Sequence, residues 1–110
     1  SAPTASGTTP FYDGTIERAV FRSEIAQDGN LIFAIHESAD GTEVPALGAV
    51  GSKTTAIDIA DDTSVVVDFD SMTSGTNVIT KGRIYAIKLT APTAPQDTNV
   101  TLVFKWDITS

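Results

Sequence analysis

Few residues of this sequence could do chemistry, and they are quickly located. His36 is the only imidazole. Nucleophilic catalysis needs a base held beside its nucleophile. His36 instead sits beside Glu37, on the strand face opposite Phe33 and Ile35, where it reads as polar surface. Cysteine is absent, which removes thiolate nucleophiles, disulfide scaffolds and thiolate zinc sites. The acidic residues Asp58, Asp61, Asp62, Asp68 and Asp70 form the most conspicuous group. Hard oxygen ligands gathered at a hairpin suit Ca²⁺, so Asp61, Asp62, Asp68 and Asp70 are the candidate ligands. Their spacing is not that of an EF-hand loop. Asp68 and Asp70, two apart on one face, repel unless solvated, paired or metal-bound. The expectation is therefore a solvated acidic face that keeps the sheet from sticking, with no cofactor. Paired carboxylates also suggest glycoside hydrolysis, but a short chain with one Trp and no cleft pattern speaks against it.

Other motifs carry less. Asn99-Val100-Thr101 matches the N-glycosylation acceptor pattern, and Thr101 equally fits the solvent face of a strand. No glycine-rich loop is present to cradle a phosphate. Arg18, Arg22, Lys81, Arg83, Lys88 and Lys105 form no run and are expected to pair with acidic neighbours. The net charge is −7, which disfavours non-specific nucleic-acid binding. No apolar stretch approaches the roughly 20 residues of a membrane-spanning helix. Ser1 fits either trimming of an initiator Met or cleavage of a signal peptide.

The elements that must position these residues are strands. There are 16 Thr, 10 Ile and 9 Val against 4 Leu, and β-branched side chains suit pleated strands. Val100, Leu102, Phe104, Trp106 and Ile108 alternate with smaller or polar residues, predicting a terminal strand with one face in the core. Trp106 is expected to plug that core, a sugar-stacking surface being the alternative. Arg83–Thr90 predicts a strand with Tyr85, Ile87 and Leu89 on one face, followed by a Pro-rich loop between antiparallel strands. Ser64–Asp70 and Thr54–Ile59 predict two more strands, joined by a connection of hairpin length. Leu31–Glu37 predicts another. Thr15–Ile25 fits either a strand or a helix, and the strand reading joins it to Leu31–Glu37 by a tight turn at Asp28-Gly29-Asn30. Asp40-Gly41-Thr42, Ser74-Gly75-Thr76 and Lys81-Gly82 predict turns, and Glu43–Val50 a weaker strand. The sum is an all-β fold: an antiparallel β-sandwich or small β-barrel of seven to eight short strands.

Residues 1–10 form an extended N-terminal arm, and residues 11–110 a single β-sandwich domain. The arm has two Pro and no large apolar side chain, so it cannot offset its own ordering entropy. If ordered, it must be held by a neighbouring subunit, by a partner or by its own sheet. No poised catalytic constellation is visible, which points to a binding or structural protein and not an enzyme.

A compact Thr-rich β body, Phe11–Ser110, behind an extended arm, Ser1–Pro10, resembles the decoration (cement) proteins of tailed-bacteriophage capsids. The resemblance is one of architecture and composition and not of motif. It implies a virion structural protein, made in the host cytoplasm, that sits on the capsid surface and binds between major capsid subunits. It implies a homo-oligomer, commonly a trimer, with no nucleic-acid or membrane partner. The arm and its root, through Thr4, Thr8, Thr9, Pro10, Phe11 and Tyr12, would contact the capsid by adding a strand or lying in a groove. The alternative is a secreted or surface-exposed adhesion, pilus-type or carbohydrate-binding β-sandwich domain, for which the span from Gly82-Arg83-Ile84-Tyr85 to Trp106-Asp107-Ile108 has a familiar strand–loop–strand form. A tail-tube or other virion component is a third reading.

Overall fold

A computed structural model describes residues 9–38 and 49–109. Eight strands run β1 (Asp13–Ser23), β2 (Gln27–Ser38), β3 (Gly51–Ile59), β4 (Thr63–Asp68), β5 (Ser74–Gly75), β6 (Val78–Ile79), β7 (Ile84–Thr90) and β8 (Asn99–Asp107). They form two antiparallel sheets stacked as a sandwich. In the first, β1 is central, with β8 along one side and β4 and β6 sharing the other. The second has the order β5-β3-β2-β7. The all-β sandwich expected from the sequence is the fold. The predicted Asp40-Gly41-Thr42 turn and most of the predicted Glu43–Val50 strand lie outside the described residues.

The core forms where the inner faces meet. Phe21, Leu31, Phe33, Ile35 and Phe69 are fully buried, with Ile16, Ala19, Ile57, Val67 and Ile79 beside them. Phe33 and Phe69, one from each sheet, pack edge to face with centroids 5.6 Å apart.

The ambiguous segment Thr15–Ile25 is a strand with a bulge. Ile16 pairs with Phe104 but Arg18 pairs with Val103, so Glu17 is an extra residue. The bulge switches which positions face inward: Ile16 before it, Ala19 and Phe21 after it. No single period fits such a segment, which is why helix and strand readings competed. The disrupted backbone is satisfied elsewhere. Ile16 N–H donates to Asn77 O (3.0 Å), Asn77 Nδ2 donates to Ile16 O (2.8 Å), and Phe69 N–H donates to Glu17 O (2.9 Å).

Three expected pairings are corrected. β1 and β2 are not a hairpin: they lie in different sheets, and the chain crosses between them at 24–26. Asp28-Gly29-Asn30, expected as the turn, lies inside β2. Gly29 serves a close approach instead. Its φ is +137°, and a side chain there would meet Pro92 at 3.1 Å. β3 and β4 are likewise joined by an arch between sheets, with β4 pairing to β1. The Pro-rich loop also carries the chain from one sheet to the other, so β7 and β8 do not pair. The turn at Lys81-Gly82 falls as expected, with Gly82 at positive φ, whereas Ser74-Gly75, expected as a turn, is strand β5 pairing with β3.

The three crossings gather at one end and are tied together. Ala26 N–H donates to Asp61 Oδ1 (2.8 Å), Glu24 N–H to Gln96 O (2.9 Å), and Asp62 N–H to Ser23 O (3.1 Å). Gln27, buried in this end, accepts from Thr93 N–H (3.0 Å) and donates to Ile25 O (3.2 Å).

Candidate docking edge

The sandwich is unequal at its two sides. Between β3 and β4 the arch closes it, and Ile57, Ile59, Val67 and Phe69 are all buried. Between β7 and β8 it stays open. Carried by the β1–β8 register, Val100, Leu102, Phe104 and Trp106 share a face with the inward residues of β1. Leu102 and Phe104 are only partly buried there, while Val100 and Trp106 are each 38% exposed. The expectation that this face lies in the core, with Trp106 as its plug, is corrected: an edge strand can point its apolar face inward and still lack an opposing strand to cover it. Ile108 lies past the end of β8 and is 74% exposed.

An apolar groove results. Its walls are Tyr85 and Ile87 from one sheet and Ile16, Leu102, Phe104 and Trp106 from the other. Pro10 and Ile79 close it at one end around a cavity of about 40 Å³. Trp106 stacks on Phe104 with centroids 4.9 Å apart and rings within 7° of parallel. Its ring also lies over Gly14, where an added Cβ would come within 2.7 Å of it. Gly14 therefore lets the indole lie flat against β1.

A polar clamp fixes the same end. Tyr85 OH donates to Glu37 Oε2 (2.7 Å) and accepts from Thr80 N–H (2.7 Å), and Arg83 Nη1 donates to Glu37 Oε1. Burial by itself pushes the Glu37 carboxyl up. The bonds from Tyr85 and Arg83 and the Arg83 charge outweigh it and hold Glu37 below its ordinary value. Burial, then the bond to Glu37, pushes the Tyr85 phenol up. Sequence reading missed this clamp, because Glu37 and Arg83 are far apart in the chain and become neighbours only through the β2–β7 register.

The residues singled out for partner contact divide. Thr4 and Thr8 lie outside the described residues. Thr9 is exposed, whereas Pro10 is buried at the groove and its carbonyl accepts from Gly82 N–H (3.1 Å). Phe11 is 89% exposed and Tyr12 is 40% exposed. Asp13 pairs with Asp107 at the end of the β1–β8 register. The exposed Phe11 and Tyr12 thus lie just before β1, and Trp106 and Ile108 at and just past the paired end of β8.

The other candidates are dispersed. Asp61 caps Ala26, Asp62 pairs with Arg22 (3.1 Å), and Asp68 Oδ1 accepts from Asp70 N–H (3.1 Å). Among the described residues no three carboxylates converge where a cation could bind. Glu24, in the stitched end, is held above its ordinary value by a hydrogen bond with Asp97 and by that group's charge. His36 lies on the outer face of its sheet as expected, opposite Ala86, but it is buried and not solvent-facing. Asn99 and Thr101 are exposed, and the Thr101 hydroxyl donates to Asn99 Oδ1 (3.3 Å). No family model, curated protein or solved structure matches the chain.

Proposed function

We propose that this chain is a virion structural protein that decorates a bacteriophage capsid, binding between major capsid subunits through its open edge and arm root. The observation that carries this reading is the exposure of Phe11, Tyr12, Trp106 and Ile108 around the paired ends of β1 and β8. Exposed large apolar side chains gathered at one end suit an interaction site. Aromatic groups that become buried supply most of an interface's binding energy. The reading includes a homo-oligomer, taken as a trimer, in which several weak edges act together. The −7 charge suits the outer surface of a shell whose interior holds nucleic acid.

The test is co-sedimentation with capsids assembled from the major capsid protein encoded beside this gene. The expected result is saturable binding that is lost in the Phe11→Ser, Tyr12→Ser double variant. No binding, or no capsid gene nearby, contradicts the reading. A second reading, a carbohydrate-binding module, is favoured by the partly exposed Trp106 ring. A glycan array with the wild type and Trp106→Ala separates the two.

A further inference from the structure

β8 is an edge that the described fold leaves unprotected. Among the described residues it pairs only with β1. Ile16 N–H and the carbonyls of Glu17 and Ser23 point away from β8, toward Asn77, Phe69 and Asp62. Thr15, Arg18, Val20 and Arg22 are therefore the β1 residues that bond β8, and their partners are Lys105, Val103, Thr101 and Asn99. Val100, Leu102, Phe104 and Trp106 turn their N–H and C=O groups to the free edge. Edge strands are normally blunted by Pro, by a bulge of their own or by an inward-pointing charge. β8 has no Pro, the bulge beside it lies on β1, and its inward side chains carry no charge. The opposite edge of the same sheet differs, with Asp62, Asp68 and Asp70 in and around β4.

We propose that β8 pairs antiparallel with β8 of a second copy, about a twofold axis at Val103, joining the two sheets edge to edge. The strand is symmetric about that residue. Its ends, 99–101 and 105–107, are exposed, and its middle, 102–104, is partly buried. The pairing sets Val100 of each copy opposite Trp106 of the other, both 38% exposed, and Leu102 opposite Phe104. All four residues with free backbone groups then meet one another. Centring the axis one residue either way leaves Trp106 or Val100 opposite a residue outside β8.

Charge agrees with the pairing. Each copy carries −7, yet the only charges within β8 are Lys105 and Asp107, of opposite sign. This register places Lys105 opposite Thr101 and Asp107 opposite Asn99 of the other copy, so no like charges meet. Centring it on Lys105 would set two ammonium groups face to face. A second copy is favoured over a foreign strand because one near-neutral, symmetric edge supplies both sides. A twofold contact also closes on itself, which leaves no β8 edge to recruit further chains.

This inference does not rest on the capsid reading, whose trimer it replaces with a twofold pair. Phe11 and Tyr12, which the capsid test substitutes, lie before β1 and outside the paired strands. Sedimentation equilibrium of the full chain and cysteine cross-linking test it together. The chain has no Cys, so each introduced thiol reports alone. Val103→Cys sets two thiols at a non-hydrogen-bonded pair on the axis, where Cα atoms stand about 4.5 Å apart, within disulfide reach. Thr101→Cys and Lys105→Cys, both at exposed positions, face each other's site and not their own. The expected result is a wild type of twice the chain mass and a Val103→Cys variant that mild oxidation converts to a covalent dimer. Thr101→Cys and Lys105→Cys are expected to link when mixed and not when alone. A wild type of one or three chain masses would overturn the proposal. So would self-linking of Thr101→Cys or Lys105→Cys, or failure of their mixture to link.

Discussion

The two sides of this sandwich are built from the same kind of strand and end differently. At the β3–β4 side a three-residue arch holds the sheets together, and Ile57, Ile59, Val67 and Phe69 are buried, with Val65 partly so. At the β7–β8 side an eight-residue loop joins the sheets at one end only, and the inward face of β8 is half covered. Apolar alternation therefore determines where a side chain points but not whether anything meets it. Cover depends on the sheet opposite, and β8 faces a sheet that ends at β7.

The largest test of this contrast is a matched truncation. Phe69→Ala, on the closed side, is expected to cost about 3–5 kcal/mol, since the residue is fully buried and leaves a cavity. Phe104→Ala, on the open side, is expected to cost no more than about 2 kcal/mol, because part of its surface is already wet. Urea unfolding of both variants measures the difference. Equal costs would mean that the two sides are equally packed.

A smaller effect tests the clamp that braces the open side. Glu37 is held below its ordinary value in the fold. Its contribution is therefore fully present above the unfolded carboxyl pKa and is lost as pH falls through the lower folded value. Glu37→Gln should cost about 1 kcal/mol at neutral pH, a figure reduced for the partial exposure of Arg83. It should also flatten the acid limb of the stability profile. Urea midpoints between neutral and acid pH check both points. An unchanged acid limb would show that other carboxylates dominate there.

Much of the fold was legible from local pattern. In β3 and β4 the inward Ile57, Ile59 and Val67 lie where period-two alternation puts them, whereas in β7 the adjacent Tyr85 and Ala86 are both buried. The pairing was not legible. A short polar connection serves a hairpin or an arch equally well, so 24–26 and 60–62 gave no sign that they cross between sheets. Asp28-Gly29-Asn30 resembled a turn by its residue types, yet Gly29 lies inside β2, at positive φ and close against Pro92, far along the chain. The bulge at Glu17 concealed β1 by switching its period midway. At the candidate site, Phe11 and Tyr12 were singled out for partner contact and are exposed, whereas Trp106 was assigned to the core from its strand face alone.

The central claim is that one side of the sandwich is closed by its own fold and the other is open. Residue-resolved hydrogen exchange, at dilutions where copies separate, tests it most directly. The account predicts faster exchange along β8 than along β4, both of which pair with β1. Equal protection of the two strands would contradict it.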